Sequence, residues 1–177
     1  YFKGENREIE FKGEAYFDVE KDPNKPFIIH ANGAKVEVLG TEFNLRTKDG
    51  YTEVIVTEGK VQLSDVTDNE TMILNVGDQG EINNGEISFS DNKDRNFLSW
   101  KTKTLYFEHG ELMKDVASDL EEVYFVDIEF DDDSIGLLPV SENRFTNDDI
   151  NLILDVYTTS HNLVYTYIEN KIVISKK

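Results

Sequence analysis

The chain has 177 residues, 38% of them apolar and 11% aromatic, enough to fill one ordinary core or two small ones. Asp and Glu number 36 against 18 Lys and Arg, and the resulting formal charge of −18 repels polyanions, which argues against nucleic-acid and anionic-membrane partners. Cysteine is absent, excluding disulfide frameworks, thiolate metal sites and cysteine nucleophiles, and no apolar run approaches the ~18 residues that would span a bilayer. The chain opens without a signal-peptide pattern and with Tyr1 and Phe2 already apolar, which reads as a piece of something longer.

Residues 1–90 read as strands and turns throughout. Ile9 and Phe11, then Ala15, Phe17 and Val19, alternate with polar neighbours at the period of a half-buried strand. The segment Asp22-Pro23-Asn24-Lys25-Pro26 is a turn, since two prolines remove ladder donors. Phe27-Ile28-Ile29, a turn at Asn32-Gly33, Val36 and Val38, Phe43 and Leu45, a hairpin signal at Asp49-Gly50, Val54 and Val56, and Val61 and Leu63 follow. Met72, Leu74 and Val76 lead into Gly77, and Ile82 precedes the turn Asn83-Asn84-Gly85. Short strands with turns at such regular spacing predict an all-β domain, a sandwich or a solenoid-like stack.

Residues 91–102 form a polar passage that ends near the only tryptophan, Trp100, and read as a linker. From 103 to 177 the period changes. Leu105 and Phe107 alternate as a strand, Leu112, Val116 and Leu120 make a helical stripe joined by Met113, Ala117 and Tyr124, and Val126, Ile128 and Phe130 make a second strand. A shift of 38 places Phe107 on Phe145, Leu112 on Ile150, Val116 on Leu154 and Val126 on Val164. The pattern predicts a small α+β domain built from a duplicated β-α-β unit, with helices near 110–123 and 147–158 and one extra strand, Ile172 to Ile174. Thr146 or Asn147 is the expected cap of the second helix, with Asp148 and Asp149 in its first turn. Asp131-Asp132-Asp133 and Gly136 read as a solvated loop.

The first half resembles the FecR domain. The resemblance is carried by Gly13-Glu14-Ala15-Tyr16-Phe17-Asp18-Val19, Pro26-Phe27-Ile28-Ile29-His30, Val36-Glu37-Val38-Leu39-Gly40-Thr41-Glu42-Phe43-Asn44 and Val54-Ile55-Val56-Thr57-Glu58-Gly59-Lys60-Val61, in that order and spacing. Trp100 with Leu105, Phe107 and Leu112 resembles the carboxy-terminal domain that accompanies FecR in regulators of the Bacteroidetes type, itself similar to the short signalling domain of secretins and TonB-dependent transducers. The resemblance implies a non-enzymatic periplasmic relay without cofactors, in a single-pass inner-membrane anti-sigma factor. Its implied partner is the signalling domain of a TonB-dependent outer-membrane transducer. The extracytoplasmic-function sigma factor would be held by a cytoplasmic segment that these residues lack, as they lack the membrane helix and the FecR domain's opening strand or two.

The residues themselves offer little chemistry. His30, His109 and His161 lie in separate elements without metal spacing, Asp131-Asp132-Asp133-Ser134 lacks the spaced ligands and glutamate of a calcium loop, and Ser64, Ser88 and Ser118 have no nucleophile-elbow context. Gly77-Asp78-Gln79-Gly80 opens no helix and is no phosphate loop. What is left is a binding surface. The terminal strand is a candidate sheet edge, so Lys171, Ile172, Val173 and Ile174 are the first candidate partner residues, with Leu105 and Phe107 as the alternative. Two other classes stay open: a carbohydrate-binding or surface-associated β-domain, which needs exposed aromatics on a flat face, and a hydrolase, which needs convergent carboxylates with shifted pKa values.

Overall fold

The fold comes from a computed structural model that describes residues 2, 4–68, 70–169 and 171–177. The chain divides into two compact units, residues 1–93 and 94–177.

The first unit contains β1 (Arg7–Glu10), β2 (Glu14–Asp18), β3 (Phe27–Ala31), β4 (Ala34–Val38), β5 (Glu42–Lys48), β6 (Tyr51–Glu58), β7 (Lys60–Asp65), β8 (Thr71–Asn75), β9 (Asp78–Asn83) and β10 (Glu86–Asp91). They form two five-stranded sheets with orders β1-β3-β4-β7-β8 and β10-β9-β6-β5-β2. All neighbours are antiparallel except β1 and β3, because the chain visits the other sheet as β2 between them. Asn32-Gly33 and Asn84-Gly85 both have positive φ, the geometry that two-residue hairpin loops require.

Alternate residues of both sheets fill one core, with Ile29, Val36, Val61, Leu63 and Leu74 from one and Phe43, Leu45, Val54 and Ile82 from the other. The unit is therefore a sandwich and not a solenoid. Phe43 is fully buried and stacks on Phe17 at 5.3 Å, while Phe17 and Phe27 pack against the core from its margin. Two glycines mark close approaches. A Cβ on Gly80 would fall 2.5 Å from Leu74 Cδ1 of the opposite sheet, and one on Gly40, at φ 153°, would fall 2.5 Å from Lys21 Cα.

The passage 91–102 is not a free linker. Asp91 closes β10 and Asn92 N–H donates to Gly77 O, whereas Asn96 and Ser99 are buried and Ser99–Thr102 form a one-turn helix, α1. Polarity suggested a linker, yet Asn96 is polar because it has backbone partners to satisfy.

The second unit continues with β11 (Thr104–Phe107), α2 (Met113–Tyr124), β12 (Asp127–Phe130), α3 (Asp133–Gly136), β13 (Asn143–Thr146), α4 (Ile150–Ser160), β14 (Leu163–Ile168) and β15 (Lys171–Lys176). Both expected helices are present, and their boundaries follow local chemistry. Asp115 accepts from Leu112 N–H at the start of α2, and Asp149, not Thr146 or Asn147, caps α4 by accepting from Asn151 N–H at 2.8 Å. The acidic loop starts the short helix α3, with Asp132 as its cap.

The duplication is real, but neither β-α-β copy closes on itself. β11 pairs with β13, its counterpart in the other copy, and the pairs Leu105–Phe145 and Phe107–Asn143 interconvert under the 38-residue shift. The register is thus that of a local two-fold axis. The other strands form the sheet β12-β15-β14, parallel between β12 and β15 and antiparallel between β15 and β14. Val116, Leu120, Ile153, Leu154 and Tyr157 of α2 and α4 pack with Leu105, Phe107, Ile172 and Ile174 of the strands in a single core. Phe107, Phe145 and Tyr157 form an aromatic trio with ring centroids 5.8–6.3 Å apart. Leu112, expected on the buried stripe, precedes α2 and is only half-buried.

Candidate functional site: the strand edges of the second unit

A strand edge accepts a partner through backbone N–H and C=O groups that the sheet leaves unpaired. β15 offers none, since it is the centre strand. Lys171, Ile172, Val173 and Ile174 are paired with β12 on one side and β14 on the other. The sequence placed β15 at an edge because it comes last in the chain; the fold inserts it between two strands that come earlier. Ile172 and Ile174 are also core side chains, each 1% exposed.

The alternative, Leu105 and Phe107, fares no better as a contact surface, because both side chains are buried in the core. The outer side of β11 is occupied as well. The amide of buried Asn96 reaches the backbone of Tyr106 in both directions, Nδ2 donating to Tyr106 O at 3.0 Å and Oδ1 accepting from Tyr106 N at 2.8 Å. The same Nδ2 donates to Asp119 Oδ2 on α2 at 2.6 Å. Burial, reinforced by the nearby carboxylates of Asp94, Glu111 and Asp115, pushes the Asp119 carboxyl up to about 6 against the relief given by Asn96.

Two further edges carry side-chain caps. On β12, Ile128 N–H donates to Glu121 Oε1 at 2.7 Å, and on β13, Thr146 N–H donates to Asp148 Oδ2 at 2.7 Å. The fourth edge, β14, is different. Asp131 N–H donates to Ile174 O, so the even-numbered residues of β15 turn their backbone groups toward β12. Tyr165 and Tyr167 lie opposite Ile174 and Ile172, and their own N–H and C=O groups therefore point away from β15, to the outer side. Their hydroxyls donate to Asn151 Oδ1 of α4 at 3.3 and 2.8 Å, and the rings meet edge to face, which holds the strand straight on its helix. On the opposite face of the sheet, Val164 and Ile168 are exposed and Val173 is half-buried. The open edge thus borders an uncovered, partly apolar sheet face.

The remaining sequence candidates are dispersed. His30 lies on β3 with Nε2 3.7 Å from Glu8, His109 is in the turn after β11, and His161 ends α4. Lys176 and the Ser134 groups hold the Asp132 carboxyl well below its usual range, as an exposed ion pair and cap. Among the described residues no group of three or more His, Asp or Glu side chains is placed to hold a metal ion. Trp100, the aromatic on which a glycan platform would depend, is half-buried in α1 with Nε1 out of reach of solvent. Sequence reasoning missed the edge position of Tyr165 and Tyr167, which depends on strand order. It missed Asn96 and Asp119 for the same reason, since their bonds cross 10 and 23 residues.

The chain thus has two units with an intact core in each, and the second unit leaves one strand edge open. Residues 1–62 match the model described as FecR protein and residues 104–175 the one described as FecR, C-terminal. Two crystal structures, at 1.65 and 2.50 Å resolution, of a proposed anti-sigma factor from Parabacteroides distasonis ATCC 8503 are similar over 100% of this chain. Both are 30% identical in sequence, with TM-scores of 0.72 and 0.70, and 84% and 83% of those chains are covered. No curated protein matches. The chain belongs to the FecR family of anti-sigma regulators.

Proposed function

We propose that this chain is the periplasmic relay of a transmembrane anti-sigma regulator and that it binds the signalling domain of a TonB-dependent outer-membrane transducer without catalysing a reaction. The observation that carries the reading is the open edge of β14 in a unit whose other three edges have side-chain caps. Caps on exposed edges prevent promiscuous strand pairing, and an edge left open is a docking strip. A partner strand added to β14 gains backbone hydrogen bonds from Tyr165 and Tyr167, and its alternate side chains meet Val164, Thr166 and Ile168 on the free face. The sigma factor is held by a cytoplasmic segment outside these residues. A relay of this kind binds in the range of about 1 μM, tight enough to report the transducer and weak enough to respond when its state changes.

Titration calorimetry against signalling domains encoded beside the gene tests the reading, with Tyr167→Pro as the variant. Proline there removes an outward N–H without breaking a bond to β15, so the fold survives and binding weakens about tenfold. Absence of heat with every such domain refutes the proposal.

A further inference from the structure

We infer that Phe125 anchors this interface, entering an apolar pocket with a basic rim on the partner; the inference rests on the relay reading above. Phe125 is the corner residue between α2 and β12 and is 87% exposed. Its backbone is left-handed, at φ 56° and ψ 47°, a conformation in which Cβ crowds the following carbonyl and which glycine or asparagine adopts with least strain. The second copy of the repeat observes that rule, for its helix-to-strand corner after α4 has Asn162 at φ 55°. Phe125 therefore breaks two local preferences at one position, and among the described residues no burial of its ring offsets either. Tyr124 and Val126 on both sides pack against the core, and Phe125 stands outside it.

The corner is held stiffly. Lys103 Nζ donates to Val123 O at 3.2 Å, Asn147 N–H donates to Lys103 O at 2.9 Å, and Tyr124 Oη donates to Asp148 O at 2.7 Å. Lys103 and Asn147 are themselves left-handed, so three such non-glycine residues meet at this corner. Strained backbone persists where the surroundings over-determine it, and it concentrates at functional sites. A large aromatic ring on a fixed stalk loses little freedom on binding, which is the property of an interface anchor.

Charge and position select the occupant. Exposed Asp127 flanks the ring in sequence, and Asp148 and Asp149 approach Tyr124 closely enough to hold its hydroxyl pKa up, secondary to burial. These three carboxylates outnumber the Lys103 ammonium at the corner, a balance that disfavours an anionic lipid surface and fits Lys or Arg around a pocket on a folded protein. Asp127, Lys171 and Ile168 form one row of the three-stranded sheet. Phe125 thus lies at the sheet end where β14 finishes, about 10 Å across from the open edge by strand spacing. A domain that adds a strand to β14 can cover both.

The test is Phe125→Asn, which suits the left-handed corner and removes the ring, with Leu137→Ala, exposed at the end of α3, as control. Phe125→Asn is expected to unfold at a higher denaturant concentration than wild type and to bind the transducer signalling domain about tenfold more weakly or worse. Leu137→Ala is expected to bind as wild type does. Equal binding by Phe125→Asn and wild type overturns the anchor and leaves the relay standing. Lower stability of Phe125→Asn also overturns it, because the ring is then packed within this chain. A wild-type chain that binds no transducer domain overturns both.

Discussion

Replacing Asp119 with asparagine should stabilise the second unit at alkaline pH and leave it nearly unchanged near pH 4. Asp119 is half-buried on α2, and its carboxyl is raised from 3.8 to about 6 by burial and by Asp94, Glu111 and Asp115. A carboxyl whose folded pKa lies above its unfolded value binds its proton more tightly when folded. Stability is therefore greatest below the unfolded pKa and declines as pH rises through about 6. The full shift corresponds to about 3 kcal/mol, and solvent screening at a half-buried site reduces it to about 1–2 kcal/mol. The asparagine side chain would keep an oxygen to accept from Asn96 Nδ2 and would carry no charge to desolvate. The assay is a urea melt at pH 4 and at pH 8 followed by the fluorescence of Trp100, the only tryptophan, which reports the second unit alone. Wild type should lose about 1–2 kcal/mol between the two pH values relative to Asp119→Asn. A difference that stays constant with pH, or a less stable variant at pH 8, would refute the reasoning.

Leu154→Ala should cost about 2–5 kcal/mol in the same melt, while Leu112→Ala should cost nearer 1 kcal/mol because Leu112 is only half-buried. Gly80→Ala should destabilise the first unit by about 1–3 kcal/mol, seen in a far-ultraviolet dichroism melt, since its methyl would overlap Leu74. Val173→Pro should cost about 3 kcal/mol or more, because its N–H belongs to a central ladder; a variant as stable as wild type would mean that β15 is not central. Asn96→Ala should lower stability by about 1–3 kcal/mol, as it strands both backbone groups of Tyr106.

Local order was legible in the sequence wherever it depends on neighbours in the chain. The alternation of Val36 and Val38 or of Val54 and Val56, the Asn-Gly turns and the stripe Val116–Leu120 all follow from side-chain periodicity, and the structure has strands, hairpins and a helix there. Strand order was not legible. β15 lies between β12 and β14, and its ladder to β12 joins Asp127 to Lys171 across 44 residues, a pairing that a short run at a chain end does not display. The polar stretch around Asn96 illustrates the reverse case. Its composition is that of a linker, and only the backbone of Tyr106, 10 residues away, explains why a buried amide is needed there. Leu105 and Phe107 were correctly placed on a strand, and their burial in the core is what removes them from the candidate surface.

The most direct test of the relay account is residue-resolved amide hydrogen exchange on the full chain, alone and with the transducer signalling domain. In the free chain the N–H groups of Tyr165 and Tyr167 face outward from β14 and should exchange rapidly, while those of Val173 and Ile174 in the centre of the sheet are protected. On complex formation the account predicts strong new protection at Tyr165 and Tyr167 and little change in β11, whose outer edge Asn96 already occupies. A saturated complex in which these two amides still exchange at the free rate would contradict it.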